Sequence, residues 1–475
     1  MSDIHNEKKI GRFDVSLIQW IKAFVVCLLY VLFIIWVGNF WWLLLLPIFF
    51  DIYITKFIPW SFWKKSKNKY VLKIAEWTDA IVFALIAVYF INLFLFQNYK
   101  IPTSSLEKSL LVGDFLLVSK VSFGPRVPNT PLSFPLAQHT LPILNTKSYI
   151  EYPQWEYKRL KGLDTIKHLD IVVFNFPAGD TVTTKVSNPD YYTLCHDYGR
   201  EYVHNNKNLF GDIIYRPVDR RENYVKRCVG LPGDTLQIIE HQVYINGVAQ
   251  EEVEGTQLSY WVTTDGRKIS ENQFKRIGVS KDDQQFLINN LPNGDNLLDY
   301  CGYERNSEGK HNPVYRLPLT KEALNKVKNL PNVIKIEIDN GLISGQVFPF
   351  GYKKWTRDNY GPIYIPRKGA TIALNLDNLP VYERVIRNYE GNTLEIMDST
   401  IYINAVATTN YTFKMNYYWL MGDNRHNSAD SRYWGFVPED HVVGKPLFVW
   451  LSLDKDASLL ESIRWERLFK FVHKE

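Results

Sequence analysis

The sequence predicts N-terminal transmembrane helices followed by a mainly β domain, antiparallel and barrel-like, with an inserted α+β subdomain. Three observations predict this fold class. Long apolar runs are confined to the first 100 residues, short β-rich runs separated by Gly, Pro, Asn and Asp begin near residue 99, and a polar, Lys- and Asn-rich stretch interrupts them at about 255–345. Strand-like runs bounded by such turn residues are typical of antiparallel sheets.

Length and composition restrict the class of protein. The chain has 475 residues, enough for several structural units. Hydrophobic residues make up 46% and aromatic residues 15%, which excludes a disordered protein. The net charge of +5 is modest and no dense basic block stands out, so nucleic-acid binding is not indicated.

The first two apolar runs predict a transmembrane hairpin over 16–58, after a tail at 1–15. Residues 17–37 are long enough to cross a bilayer. Residues 40–54 follow the Gly38-Asn39 break but contain Pro47 and Asp51, so they form either a tilted span or a re-entrant segment. A cleaved signal peptide is the alternative for the first run, but that run is long and no small-x-small site follows it.

A third apolar run, at about 78–96, predicts a transmembrane helix over 78–98, after a basic loop at 59–77. Cationic residues precede the first run and separate the second from the third: Lys8, Lys9, Arg12, Lys56, Lys64, Lys65, Lys67, Lys69 and Lys73. Basic segments stay in the cytoplasm. We therefore expect a multi-pass protein in contact with membrane lipid, whose residues after about 98 face the extracytoplasmic side.

The remaining chain predicts a β domain in two parts, 99–254 and 346–454, around an inserted subdomain at 255–345 with a helix at 320–329. Residues 235–250 resemble residues 393–408 at about half the positions, which indicates either a duplicated hairpin or shared hairpin constraints. Residues 455–475 predict an amphipathic helix that either packs on the domain or lies on an anionic membrane surface.

Four cysteines, Cys27, Cys195, Cys228 and Cys301, allow at most one disulfide, because Cys27 lies in an apolar run. Cys195–Cys301 is the pairing we expect if one forms. Cysteine and histidine spacings suggest no metal site, so no metal is expected.

Four segments carry the candidate chemistry: 101–120, 169–177, 223–234 and 421–438. In a strand over 223–230, Tyr224, Lys226 and Cys228 share one face. A lysine facing a β core is desolvated, which lowers its pKa and yields the neutral amine that a general base requires. The alternatives are that Lys226 points into solvent and that Ser105 is an ordinary turn serine.

The last segment, MGDNRHNSADSRYWGFVP, is dense in small and polar residues. Asp430 and Arg432 are spaced to form an ion pair that holds the loop rigid, and Ser428 is placed to orient a lysine amine.

In this order, after an outward-crossing helix, the four segments resemble the conserved boxes of type I signal peptidases (leader peptidases), in the bacterial Ser/Lys-dyad branch. The first resembles I-P-S-x-S-M-x-P-T-L-x-x-G-D, and its spacing to Gly113-Asp114 aligns Ser105, not Ser104, with the nucleophile. The resemblance implies Lys226 as the general base and an oxyanion hole formed by Thr103 and the Ser105 N–H. It also implies that Ser428 contacts the lysine and that Asp430 and Arg432 form the supporting pair.

Three residues depart from the family pattern. Leu106 replaces the usual Met, Lys108 the usual Pro and Leu169 the usual Gly. These changes affect loop shape and subsites rather than the Ser–Lys pair.

The resemblance implies a serine endopeptidase of the bacterial cytoplasmic membrane, with its catalytic domain on the extracytoplasmic side. It would remove signal peptides from exported preproteins and cut after small-x-small (Ala-x-Ala-like) sites, without a cofactor. The extended substrate would add as a strand. Six residues match the substrate pockets, although each is equally well explained as core: Ile101, Leu106, Leu110, Val173, Tyr224 and Val225.

Two other functions remain to be weighed. A self-cleaving, repressor-type Ser–Lys peptidase shares the dyad, but such proteins lack the three apolar runs and the final box. A membrane-anchored β domain that only binds a partner is the non-enzymatic alternative, and the intact set of Ser105, Lys226 and Ser428 argues against it.

Overall fold

We describe the protein from a computed structural model, which covers residues 15–60, 66, 68–144, 146–280, 283, 287–341, 345–352, 354–455, 457 and 461–472. Several cationic residues used to predict the orientation lie outside these ranges: Lys8, Lys9, Arg12, Lys64, Lys65 and Lys67. The chain divides into two compact units, Met1–Asn92 with Arg159–Lys161, and Leu93–Lys158 with Gly162–Glu475.

The first unit is helical. Helix α1 (Leu17–Val37) begins at Ser16, which forms a capping box with Gln19, and ends at Gly38 in the left-handed conformation. A 3₁₀ turn (Phe40–Leu45), α2 (Leu46–Phe50) and a π turn (Asp51–Thr55) follow. Helix α3 (Lys69–Phe90) continues into a π turn at Ile91–Leu95.

Two helices are long and apolar enough to cross a membrane: Leu17–Val37, with a mean hydropathy of 2.5, and Lys69–Leu95, with 2.1. The second begins at Lys69 rather than at residue 78, because Asn68 caps it, so part of the predicted basic loop is helical. Phe40–Thr55 is a shorter apolar segment. The Asp51 carboxylate there accepts hydrogen bonds from the Phe57 and Ile58 N–H groups and from the Trp60 ring, which ends the segment.

The second unit is a mainly antiparallel β domain around an eight-stranded half-barrel sheet. The strands run in the order β1-β2-β21-β3-β6-β19-β20, and β22 pairs with β21. Their bounds are β1 Phe96–Lys100, β2 Asp114–Ser119, β3 Ile171–Asn175, β6 Asn223–Gly230, β19 Tyr417–Met421, β20 Val437–Pro438, β21 Val442–Ser452 and β22 Lys470–Phe471.

Smaller sheets and short helices surround this sheet. The smaller strands are β4 Thr181–Thr183, β5 Ile213–Tyr215, β7 Thr235–Ile239, β8 Gln242–Ile245, β9 Val248–Ala249, β13 Tyr360–Tyr364, β14 Thr371–Ala373, β15 Leu394–Met397, β16 Thr400–Ile403, β17 Val406–Ala407 and β18 Asn410–Thr412. The short helices are α4 Tyr191–Tyr198, α5 Arg200–Asn205, α6 Lys207–Phe210, α10 Leu379–Arg384 and α11 Ser431–Trp434.

The two similar segments, 235–250 and 393–408, have the same local structure. Each forms a three-stranded meander, β7-β8-β9 and β15-β16-β17, with two turn residues at positive φ between the first two strands. Asn246 accepts the Thr235 N–H, and Asn404 accepts the Thr393 N–H in the same way. Because tight hairpin turns impose this geometry, duplication and shared constraint both still account for the similarity.

Residues 258–339 form a separate layer, here called the β10–β12 unit. Its strands are β10 (Leu258–Thr264), flanked by β11 (Val314–Leu319) and β12 (Val333–Ile338). Its helices are α7 (Glu271–Ile277), α8 (Gly294–Tyr300) and α9 (Lys321–Lys328), the last of which is the predicted helix at 320–329. The unit has its own buried core, which includes Val262, Phe274, Leu317 and Val327. Such a core is what an inserted subdomain requires, and the insertion itself stays a prediction.

The prediction of a C-terminal amphipathic helix was wrong. The described part of 455–475 contains a 3₁₀ turn at Trp465–Arg467 and strand β22 instead of an amphipathic helix. Arg467, which was predicted to lie on the charged face of that helix, points into the domain, where its guanidinium binds the buried Asp114 carboxylate. Cys195 and Cys301, the pairing expected if a disulfide formed, are not bonded to each other.

Candidate active site

The loop between β1 and β2 holds Ser105 in a short 3₁₀ helix, Ser104–Leu106. Thr103 precedes it, exposed and with no capping hydrogen bond from its side chain, so its hydroxyl is not used to cap the turn. Gly113 closes the loop at φ 92, and a Cβ there would lie 2.0 Å from the Leu453 carbonyl oxygen. Asp114 fixes the end of the loop by accepting the Leu111 N–H at 2.9 Å.

Lys226 lies in β6 and reaches the serine from the neighbouring part of the sheet. Its Nζ lies 2.5 Å from the Ser105 Oγ. Both side chains are buried, with Ser105 7% and Lys226 5% exposed. Two residues that are far apart in sequence, and that were predicted to act together, therefore meet away from solvent.

Burial lowers the pKa of Lys226 from its ordinary value of 10.5 to about 8. The carboxylates of Asp430 and Asp423 act in the opposite direction, and Arg432 adds to the lowering. A useful fraction of the amine is therefore neutral near physiological pH, which is the state that accepts a proton.

The segment 422–432, here called the 422–432 loop, surrounds this pair. Asp430 and Arg432 form the predicted ion pair, with Nη2–Oδ2 at 2.8 Å and Nε–Oδ1 at 2.9 Å, and both are fully buried. The Gly422 N–H also donates to Asp430. Burial raises the pKa of Asp430, but the Arg432 guanidinium and these hydrogen bonds hold it below its ordinary value.

Ser428, which is predicted to contact Lys226, is buried close to the Ser105 backbone. Its Oγ has no hydrogen-bond partner among the residues that the structure describes. A Cβ on Gly422 would lie 2.3 Å from this Oγ and 2.6 Å from the Ser105 carbonyl oxygen. The absence of a side chain at Gly422 is thus what lets Ser428 and the Ser105 backbone approach each other.

Sequence reasoning missed a second buried ion pair, between Arg227 and Asp423. The guanidinium binds both carboxylate oxygens, at 2.7 and 2.8 Å, and Ser109 donates to the same carboxylate at 2.6 Å. The Asn424 N–H donates to the Ser105 carbonyl at 3.1 Å. The opposite charges of Arg227, next to Lys226, and Asp423, in the last segment, were a signal from which this pair could have been predicted.

The predicted pocket residues separate into two groups. Ile101, Leu106, Leu110 and Val173 share one buried apolar cluster, against which Val225 packs. Tyr224 lies on the opposite face of β6, against Phe174, Phe176 and Trp434, because neighbouring strand residues alternate.

Strand β6 has one open edge next to Lys226. It pairs with β3 over Asn223–Arg227. Within the described part of the chain, β19 pairs with it only at Arg227, Cys228 and Gly230. On that side, residues 223–225 therefore have no strand partner among the described residues.

A buried serine hydroxyl beside a lysine amine, on a β domain, is the arrangement of serine peptidases that use lysine in place of histidine. A sequence model of the family described as "Signal peptidase, peptidase S26" matches residues 74–296 and 365–451. The match covers more than half of the chain. The chain therefore belongs to the signal peptidase family S26 and is a serine peptidase, anchored to a membrane by its apolar N-terminal helices.

Similar proteins agree with this assignment. The chain is 24% identical over 417 residues to "Signal peptidase I" of Buchnera aphidicola subsp. Baizongia pistaciae, covering 86% of this chain and 88% of the relative. It is 22% identical over 410 residues to "Signal peptidase I" of Haemophilus influenzae, covering 86% and 79%. A shorter match, 43% identical over 65 residues, covers 12% of this chain and 22% of "Signal peptidase I" of Helicobacter pylori.

Proposed function

We propose that this protein is a membrane-bound endopeptidase that removes N-terminal signal peptides from exported preproteins, with Ser105 as nucleophile and Lys226 as general base. The observation that carries the proposal is the 2.5 Å contact between the buried Lys226 Nζ and the Ser105 Oγ. The names of the relatives, "Signal peptidase I", support the substrate class.

The proposed reaction begins with neutral Lys226. Its Nζ takes the proton of the Ser105 hydroxyl while Oγ attacks the scissile carbonyl carbon, which gives a tetrahedral oxyanion and a lysine ammonium. The ammonium then protonates the leaving nitrogen as the C–N bond breaks, leaving an acyl ester on Ser105. In the second half, Lys226 takes a proton from water, the hydroxide displaces Oγ, and the serine recovers its proton.

The oxyanion is proposed to bind the Ser105 N–H and the Thr103 hydroxyl. Thr103 is solvent-exposed and makes no capping hydrogen bond, so its hydroxyl need not break one to face the substrate. One such donor is worth roughly 2.7–4 kcal/mol of barrier.

The substrate is proposed to lie along the open edge of β6, at residues 223–225, as an added strand. The buried apolar cluster of Ile101, Leu106 and Leu110 is proposed to line shallow pockets beside this edge, which would admit small side chains. Pockets of that kind would favour cleavage after small-x-small sites.

For the membrane topology we propose several passes, with the catalytic domain on the extracytoplasmic side. The support is the pair of long apolar helices, together with the excess of lysine between Thr55 and Ile74. A cysteine-accessibility experiment on intact cells, with a reporter cysteine in that lysine-rich stretch and another at exposed Ile143, tests the sidedness.

The test of the function is cleavage of a purified preprotein with an Ala-x-Ala site by the full chain in detergent. Wild type should cut after the second Ala, whereas Ser105→Ala and Lys226→Ala should not cut and should remain folded. Ser104→Ala is the matched control and should stay active, because only its neighbour faces Lys226. Full activity in Ser105→Ala or Lys226→Ala would refute the dyad.

A further inference from the structure

Beside the 422–432 loop, three side chains from separate segments converge. His241 lies in the β7–β8 turn, Asp358 precedes β13, and His426 belongs to the loop itself. One Asp358 oxygen, Oδ1, lies 2.9 Å from both the His426 Nε2 and the His241 Nδ1. The three donor atoms lie within 4.8 Å of one another, which is close enough to hold a metal ion.

The hydrogen bonds of His426 argue against a metal ion. Its Nδ1 accepts the Ser259 N–H at 3.1 Å, so the single proton of a neutral imidazole must be on Nε2, where it donates to Asp358. Metal-binding histidines show the reverse pattern, with a lone pair toward the ion and the other N–H donated outward. Burial lowers the pKa of His426 to about 4, so the ring is neutral. The His426 ring therefore forms a hydrogen-bonded link between Ser259 and Asp358.

The link joins the 422–432 loop to both ends of the β10–β12 unit. Ser259 belongs to the first strand of the unit, and Asp358 binds Arg357, whose guanidinium also donates to the Asp339 carbonyl at the other end. The adjoining Gln257 exchanges backbone hydrogen bonds with the loop, donating to the Asp423 carbonyl and accepting the Arg425 N–H, both at 2.9 Å.

The same unit also contacts the nucleophile loop. The Lys108 Nζ donates to the Gly278 carbonyl at 2.6 Å, and Gly278 follows helix α7 of the unit. Lys108 stands three residues after Ser105, where the family usually has Pro. The loop that holds Ser105 and the 422–432 loop thus both form hydrogen bonds with the β10–β12 unit or with residues next to it.

We propose that the β10–β12 unit supports the catalytic loops and that His426 is the positioning residue through which it acts on the 422–432 loop. The inference rests on the proposed function, because it assigns the loop a catalytic task. The loop is rich in buried polar groups, and each is costly unless its hydrogen bonds are made. Loss of the His426 link should let the loop move, and a misplacement of about 1 Å at a catalytic group costs up to roughly 100-fold in rate.

The test compares four variants of the full chain in detergent. His426→Ala removes both hydrogen bonds, His426→Asn keeps an acceptor for Ser259, and His426→Gln keeps a donor for Asp358. His311→Ala is the matched control, because His311 is equally buried and its ring forms hydrogen bonds to Asp299 and Glu304, which both belong to the β10–β12 unit.

Three readouts separate positioning from simple instability. In His426→Ala, kcat should fall roughly 10- to 100-fold while KM changes by less than about threefold. The acid limb of the pH profile should move above pH 8, because a looser loop admits water to Lys226 and relieves the burial that lowers its pKa. Asn and Gln should each restore part of kcat, and His311→Ala should keep the wild-type profile.

Hydrogen–deuterium exchange of 422–432 supplies a readout that does not require cleavage. The exchange should be faster in His426→Ala than in His311→Ala even if the preprotein assay shows that the proposed function is wrong. Unchanged exchange and an unchanged pH profile in His426→Ala would overturn the inference. Stoichiometric zinc in the purified wild type that is lost in His426→Ala would also overturn it, since the cluster would then be a metal site.

Discussion

Replacing Lys226 by Met should abolish cleavage and at the same time make the protein more stable at pH 7. The reason is the burial of the amine beside Ser105, which lowers its pKa from 10.5 to about 8. At 1.36 kcal/mol per pH unit, that difference corresponds to about 3 kcal/mol by which burial of the charged lysine destabilises the fold. The lost hydrogen bond to Ser105 offsets about 1 kcal/mol, so we expect a net gain of about 2 kcal/mol.

The gain in stability of Lys226→Met over wild type depends on pH. A lysine whose folded-state pKa is lowered binds fewer protons when folded than when unfolded between pH 8 and 10.5. Wild-type stability therefore rises with pH through that window, and the advantage of Lys226→Met should be complete below pH 8 and fade toward pH 10.5.

The assay is denaturant unfolding of both proteins in detergent, followed by near-UV circular dichroism at pH 7 and pH 10. Lys120→Met is the control, since burial also lowers the pKa of Lys120, to about 7, in a part of the domain that does not contact Ser105. That variant should gain stability and keep its activity. A Lys226→Met protein that is less stable than wild type at pH 7, or equally favoured at both pH values, would refute the electrostatic explanation.

Three further predictions concern the same domain. Cleavage measured as kcat/KM should rise about tenfold from pH 7 to pH 9, because a base with a pKa of about 8 goes from about one-tenth to nine-tenths neutral; a flat profile would exclude Lys226 as the base. Asp430→Asn should lower the unfolding free energy by about 3–5 kcal/mol, since Arg432 would be left buried without its partner; denaturant unfolding measures this. Leu169→Gly should raise stability by about 1 kcal/mol, because Leu169 has a φ of 67 that favours glycine; an unchanged unfolding midpoint would contradict this.

Much of the fold was predictable because the relevant signals are local. The apolar helix Leu17–Val37 follows from an uninterrupted apolar run, and the separate faces of Tyr224 and Val225 follow from strand alternation. The resemblance to the family boxes then pointed to Ser105 and Lys226. Local sequence pattern alone does not predict the contact between these two residues, because that contact depends on the pairing of strands that are distant in sequence.

The errors occurred where tertiary contacts override local pattern. The sequence of 458–475 has helical periodicity, but the buried Asp114 carboxylate needs a cationic partner. Arg467 binds this carboxylate from a 3₁₀ turn instead of from a helix. The start of α3 at Lys69 depends on the Asn68 cap, a signal weaker than the apolar run that follows. The link through His426 was invisible in the sequence because Ser259 and Asp358 lie far from it along the chain.

The two buried ion pairs explain how the pKa of Lys226 stays low although two carboxylates lie near it. Asp430 and Asp423 are the carboxylates that raise the pKa of Lys226, and an unpaired carboxylate this close would hold the amine charged. Each is already bound by an arginine, Asp430 by Arg432 and Asp423 by Arg227. The arginines largely neutralise the negative charge of the two carboxylates, so burial is the main influence on the pKa of Lys226 and lowers it. The ion pairs thus do more than hold the loop rigid, because without the arginines the same carboxylates would remove the base that the proposed reaction needs.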